Sequence, residues 1–219
     1  MGALTRYVAS DVARSQRWLP PLVSYLVICL VNLSLDGSAA GNALPTFASA
    51  GAALLPVAIW LTVIVGNCED PVQVAITVAT VGSEARVRLT KLMVAYGGCG
   101  AMTVISMTIA WATAQGATLA DVVAGLATHL IAAAIGVAVG AWCMRPVLDR
   151  RAWAVLIGVF VSLAEVLVPH FPPDRQLLVL LGAARPVHLA GSLALIALES
   201  LVITSLLILA AVRFGQSRT

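Results

Sequence analysis

Three ionisable side chains sit inside long apolar stretches of this sequence and are the first candidates for chemistry: His129, Glu165 and Glu199. A carboxylate near the middle of a membrane-length helix costs on the order of 3 kcal/mol and usually faces a partner or a water-filled path. Counting about 1.5 Å per residue from the outer ends of their segments sets His129 roughly 12 Å deep and Glu199 roughly 18 Å deep. The two meet if their helices pack together. Glu165 lies just before Pro169 and should reach the outer interface. Two readings of Glu199 stand: a group on an ion or substrate path, or a protonated carboxyl bonded to a neighbouring helix. For His129, a satisfied interhelical histidine stands beside a ligand role.

Other chemistries lack their residues. Cys29, Cys68, Cys99 and Cys143 lie far apart, with no CxxC and no metal-ligand spacing to the histidines, and read as small buried apolar groups. The single lysine, Lys91, follows Thr90, so there is no Gly-x4-Gly-Lys-Ser/Thr loop to cradle nucleotide phosphates. HExxH, GxSxG and a paired-carboxylate arrangement are also missing. The chain is expected to be no enzyme and to carry no cofactor or metal of its own.

The elements that must position these side chains follow from composition. Of 219 residues, 60% are apolar and 11% charged, with a mean hydropathy of +0.98. A soluble domain carries roughly a quarter charged residues, so the expected solvent is lipid. A helix needs about 20 apolar residues to cross a hydrocarbon layer of roughly 30 Å. Stretches of that kind predict an all-α membrane protein with six crossings, at about 20–35, 44–66, 92–114, 122–144, 152–169 and 187–212. Pro56 predicts a kink in the second. No cleaved signal peptide is expected.

Arginine and lysine set the orientation, because cytoplasmic loops are enriched in them. With the N-terminus inside, eleven basic residues fall on the cytoplasmic side and only Arg175 and Arg185 outside. Both termini are therefore expected in the cytoplasm. The same distribution accounts for the net charge of +3 without nucleic acid as a partner. One lysine against twelve arginines, with abundant Ala, Gly and Val, is the composition of a GC-rich bacterial genome and suggests a bacterial plasma membrane.

Residues 1–18 read as an amphipathic helix lying on the membrane, with Leu4, Tyr7, Val8, Val12 and Trp18 on one face and Arg6, Ser10, Arg14 and Arg17 on the other. The segment 67–91 is the longest polar stretch on the cytoplasmic side. Asp70-Pro71 reads as a helix start, Gly82 as its end, and Ser83 as the cap of a second short basic helix over 84–91. On the outer side, the six apolar residues from Leu177 are too few to span and predict a re-entrant or interfacial turn. Ala132, Gly136 and Gly140 form a small-residue stripe that lets another helix approach closely, and Gly97, Gly98 and Gly100 suggest close packing or a flexible point.

An N-terminal surface helix, six crossings, a helical excursion between crossings two and three and an apolar outer excursion before the last crossing together resemble the membrane subunit, or permease, of an ABC-2 type ABC transporter. The closest local match is Val81-Gly82-Ser83-Glu84-Ala85-Arg86 followed by Lys91, similar to the family's approach to its third helix. After the second helix the family often has an acidic residue and then Gly-Thr, where this chain has Glu69-Asp70-Pro71-Val72-Gln73. The resemblance implies that 71–81 is a coupling helix resting on a separate ATPase subunit, with Glu69, Asp70, Pro71, Val72, Gln73, Val74 and Ile76 as contacts. It further implies two ATPase copies carrying ATP and Mg, a second copy of this chain or a sister permease, and export of an amphiphilic small molecule, peptide or lipid. The rival expectation is a proton- or ion-coupled carrier using Glu199 and His129 and needing no ATPase.

Overall fold

The computed structural model describes residues 2–36, 44–113, 118–148, 151–167 and 189–216. Among them the chain is all-helical, with no strand. Eight helices follow in order: α1 (Gly2–Ser15), α2 (Leu19–Asp36), α3 (Leu44–Gly66), α4 (Pro71–Val81), α5 (Glu84–Thr113), α6 (Leu119–Cys143), α7 (Arg151–Leu167) and α8 (Leu189–Gln216). Four of these, α3, α5, α6 and α8, are long and apolar enough to cross a membrane. The chain is a membrane protein by that measure. The apolar turn expected at residues 177–182 and the Glu165 side chain lie outside the described residues.

The centre of the bundle is the α3–α6 pair, which makes the most extensive helix–helix contact. Its closeness is set by glycine. A Cβ on Gly136 would stand 2.6 Å from the Ala58 Cβ and 2.7 Å from the Leu55 carbonyl oxygen, and one on Gly140 would meet Thr62. The stripe at Ala132, Gly136 and Gly140 is thus used inside one subunit, bringing α6 onto the α3 backbone. Helices α2, α5 and α7 also pack on α3, while α8 packs on α6. In the apolar window of α3, and equally of α6, 61% is buried, against 33% in α5 and 28% in α8. The last two therefore present broad apolar flanks outward.

Interior hydroxyls bond their own helix: Thr62 to Ala58 O, Thr128 to Ala124 O, and Thr204 to Ser200 O. Such back-bonding leaves no hydroxyl proton unpaired where water is absent. Cys29, Cys99 and Cys143 are free thiols buried among apolar residues, and Cys68 is free and partly buried.

Helix α1 lays Val8 and Val12 onto the bundle against α5 and leaves Arg6, Arg14 and Arg17 exposed. Helix α5 corrects one boundary. The basic stretch 84–91 is continuous with the following crossing as a single 30-residue helix, because no proline interrupts it and Thr90, the cap-type residue at the boundary, bonds back to Arg86 O at 2.8 Å.

Candidate functional site

The α4 elbow, at the arginine-rich end of the bundle, is built as the sequence predicts. Asp70 takes an extended backbone (φ −64°, ψ 146°), and its side chain accepts from the Val72 N–H at 2.9 Å. Pro71 occupies the first turn, where its missing N–H costs nothing. At the other end Gly82 has φ 72°, a left-handed conformation, and its N–H donates to Val78 O at 2.8 Å. Ser83 then caps α5, accepting from the Arg86 N–H at 3.4 Å.

One buried ion pair pins the elbow. Lys91 Nζ lies 2.6 Å from Glu69 Oε2, with side-chain exposures of 5% and 1%. Lys91 also donates to Gly66 O at 3.4 Å, and Thr77 Oγ1 donates to Glu69 Oε1 at 3.4 Å. The end of α3, the start and middle of α4, and α5 are thereby tied at one point. A second tie runs to α1, where Gln73 Nε2 donates to Tyr7 Oη at 2.6 Å. Partial desolvation pushes the Tyr7 phenol above its ordinary range. Burial pushes the nearby Cys68 thiol up to about 11, so it stays protonated and unreactive at neutral pH.

What remains of α4 faces outward. None of its residues is buried, and Val72 and Ile76, one turn apart on the same face, are 68% and 63% exposed. Of the expected contact residues, Asp70, Pro71, Val72, Gln73 and Ile76 are exposed, Val74 is half-buried, and Glu69 is withdrawn into the ion pair. Glu69 is thus an anchor of the elbow and offers no carboxylate to a partner. A hollow of about 610 Å³ separates α4 from α1, bounded by Leu4, Tyr7, Ile76, Thr80 and Arg86 among others.

Sequence reasoning singles out Glu69 but misses its partner, Lys91, and also misses Arg88. The buried Arg88 guanidinium donates to the Ala211 carbonyl at 3.1 Å and the Val212 carbonyl at 3.4 Å. It places a cation on the carbonyl-rich end of α8. Gly215 gives it room, since a Cβ there would fall within the guanidinium.

The intramembrane candidates do not converge. His129 is fully buried, with Nδ1 2.7 Å from Gly125 O and Nε2 2.8 Å from Ser106 Oγ. A carbonyl only accepts, so Nδ1 carries the proton and Nε2 accepts from the serine hydroxyl. Both ring nitrogens are satisfied, and the partner is on α5. Glu199 is exposed on the outer flank of α8 and forms no hydrogen bond or ion pair among the described residues. Helices α6 and α8 do pack together, but their polar contact is Trp142 Nε1 donating to Leu207 O at 3.1 Å. No group of three or more His, Cys, Asp or Glu among the described residues could hold a metal.

No protein-family model matches the chain, and neither a curated protein nor a solved structure matches it.

Proposed function

We propose that the chain is the permease subunit of an ATP-driven transporter of the ABC-2 type, with α4 as the helix that docks on a separate ATPase. The carrying observation is α4 itself: capped at both ends, pinned by a buried ion pair, and yet exposing Val72 and Ile76 on one face. A helix of that kind spends its folding free energy on being held in place, and its apolar face is left for another surface. In this reading α2 and α7, at 18 and 17 residues, also cross, since at about 1.5 Å per residue they reach roughly 26 Å. The bundle then has six crossings, α1 lies on the membrane surface, and both termini face the cytoplasm of a bacterial plasma membrane. Two ATPase copies supply ATP and Mg, and a second copy of this chain or a sister permease closes the path. The outward flanks of α5 and α8 are the surfaces available to that second half. The cargo class that suits a mostly apolar path is an amphiphilic small molecule, peptide or lipid moved outward.

The test is purification of the tagged chain in mild detergent from its native host. A soluble P-loop protein should come with it and be lost on Val72→Glu or Ile76→Glu, with the helical fold retained by circular dichroism. Consistent absence of any ATPase, under conditions that preserve a known ABC complex, would overturn this reading in favour of a proton- or ion-coupled carrier working through the exposed Glu199.

A further inference from the structure

A groove of about 760 Å³ opens on the flank of the bundle between α3 and α7. Its long walls are apolar: Pro56, Ile59, Trp60 and Val63 on α3 face Gly158 and Val159 on α7. Its polar lining residues, Arg17 and Asn67, are confined to one end, where α3 has finished at Gly66 and the chain passes from α1 to α2. From Pro56 to Asn67 the rise is roughly 16 Å at about 1.5 Å per residue, close to half the hydrocarbon layer of about 30 Å. The groove therefore has the length of one leaflet and carries its polarity at the headgroup end.

The polar end is cationic. The Asn67 amide is occupied, its Nδ2 donating to Val63 O at 2.9 Å and its Oδ1 accepting from the Arg145 N–H at 3.2 Å. The exposed Arg17 side chain makes no hydrogen bond or ion pair among the described residues. Arg145 meets Asn67 through its backbone N–H, and its side chain is not part of the groove's lining, so among the described residues Arg17 is the cation that lines it. An occupant must be apolar over one leaflet and anionic at its tip.

We propose that this groove holds an anionic phospholipid of the leaflet on the arginine-rich side, with one acyl chain between α3 and α7 and its phosphate at Arg17. The inference rests on the placement of α3 and α7 in the bilayer, and it is independent of the ATPase. Arg17 selects the headgroup, because a cation at the membrane surface favours an anionic lipid over a zwitterionic one. Gly158 keeps the groove open at its α7 wall, and the nearest atom to a Cβ there would be Ile59 Cγ2 at 3.4 Å, ordinary contact, so a larger side chain would project without striking backbone.

The experiment titrates the full-length, delipidated chain in mild detergent with dioleoyl phosphatidylglycerol or dioleoyl phosphatidylcholine and counts bound lipid by native mass spectrometry. One phosphatidylglycerol per chain should be retained about fivefold over phosphatidylcholine, the preference expected of a single surface cation. Arg17→Gln, at an exposed position that leaves the packing untouched, should level the two lipids, and Arg17→Lys should keep the preference. Gly158→Phe should lower retention of both. Equal retention of the two lipids by the unaltered chain, or a preference that survives Arg17→Gln, overturns the proposal while leaving the bilayer placement standing. A chain that stays monodisperse without detergent or lipid refutes the placement itself. A lipid-free oligomer whose copies fill the groove overturns the lipid as occupant.

Discussion

Lys91 and Glu69 meet at 2.6 Å in a pocket that leaves their side chains 5% and 1% exposed. The pair closes the loop between α3 and α5 around α4. Removing one partner strands a buried charge, so Glu69→Ala should destabilise the chain by about 3–5 kcal/mol. Glu69→Leu with Lys91→Met should restore most of that loss, because packed apolar groups of similar volume remove both desolvation costs. Thermal unfolding in detergent reads the three variants. A double substitution as harmful as the single one would mean that the pair's geometry, and not its charge balance, holds the elbow.

The contact between α3 and α6 leaves no room at Gly136. Gly136→Leu should cost at least the 1–3 kcal/mol typical of overpacking, since the nearest obstacles include the backbone carbonyl of Leu55. Gly97→Ala is the control: nothing lies within 4 Å of a Cβ there. It should be neutral or stabilising by about 0.5 kcal/mol through helix propensity. Equal losses at the two positions would refute the close α3–α6 approach.

Ser106 supplies the partner of His129 Nε2. Ser106→Ala should therefore cost about 1–3 kcal/mol, the penalty for leaving a buried acceptor unsatisfied. Glu199→Gln, on the outer flank of α8, should leave the stability of the single chain within about 0.5 kcal/mol. In vesicles Glu199→Gln and Ile76→Glu divide the functional readings. Transport abolished by Glu199→Gln but indifferent to Ile76→Glu would support the ion-coupled carrier.

Burial holds the Cys68 thiol protonated at neutral pH, its value pushed up to about 11, and Cys29, Cys99 and Cys143 are buried. A water-soluble maleimide at pH 7 should label the folded chain at least about tenfold more slowly than the denatured chain, because the thiolate is the reactive form. Labelling of Cys68 should accelerate as pH rises towards 11. Fast labelling of Cys68 at pH 7 would place the thiol in water.

Local chemistry made α4 readable from the sequence. Asp70, Pro71 and Gly82 each act on their immediate neighbours, and the expected range 71–81 coincides with the observed Pro71–Val81. The fate of the basic run after Gly82 was not readable in the same way. Arg86, Arg88 and Lys91 look alike as cations, but only Arg86 is exposed. Arg88 and Lys91 are buried because the end of α8 and residue Glu69 arrive from far along the chain, which no local pattern announces.

Depth is legible where rotation is not. The count of residues sets His129 and Glu199 within a turn or two of the same level, and their helices do pack. The turn of each helix about its own axis sends His129 to Ser106 on α5 and Glu199 to the outer flank. The small-residue stripe on α6 was informative because a surface without side chains has one mechanical use, close approach, whichever partner fills it.

The 30 residues of α5 run without a break from the elbow, a rod of about 45 Å at about 1.5 Å per residue. Lys91 and Arg88 grip it near one end, the first to the α3–α4 corner and the second to the Ala211 and Val212 carbonyls, about a turn before α8 ends at Gln216. A rod gripped near one end is a lever with a short arm and a long one. The two grips lie one turn apart on it, so α3, α4, α5 and the foot of α8 share a single corner.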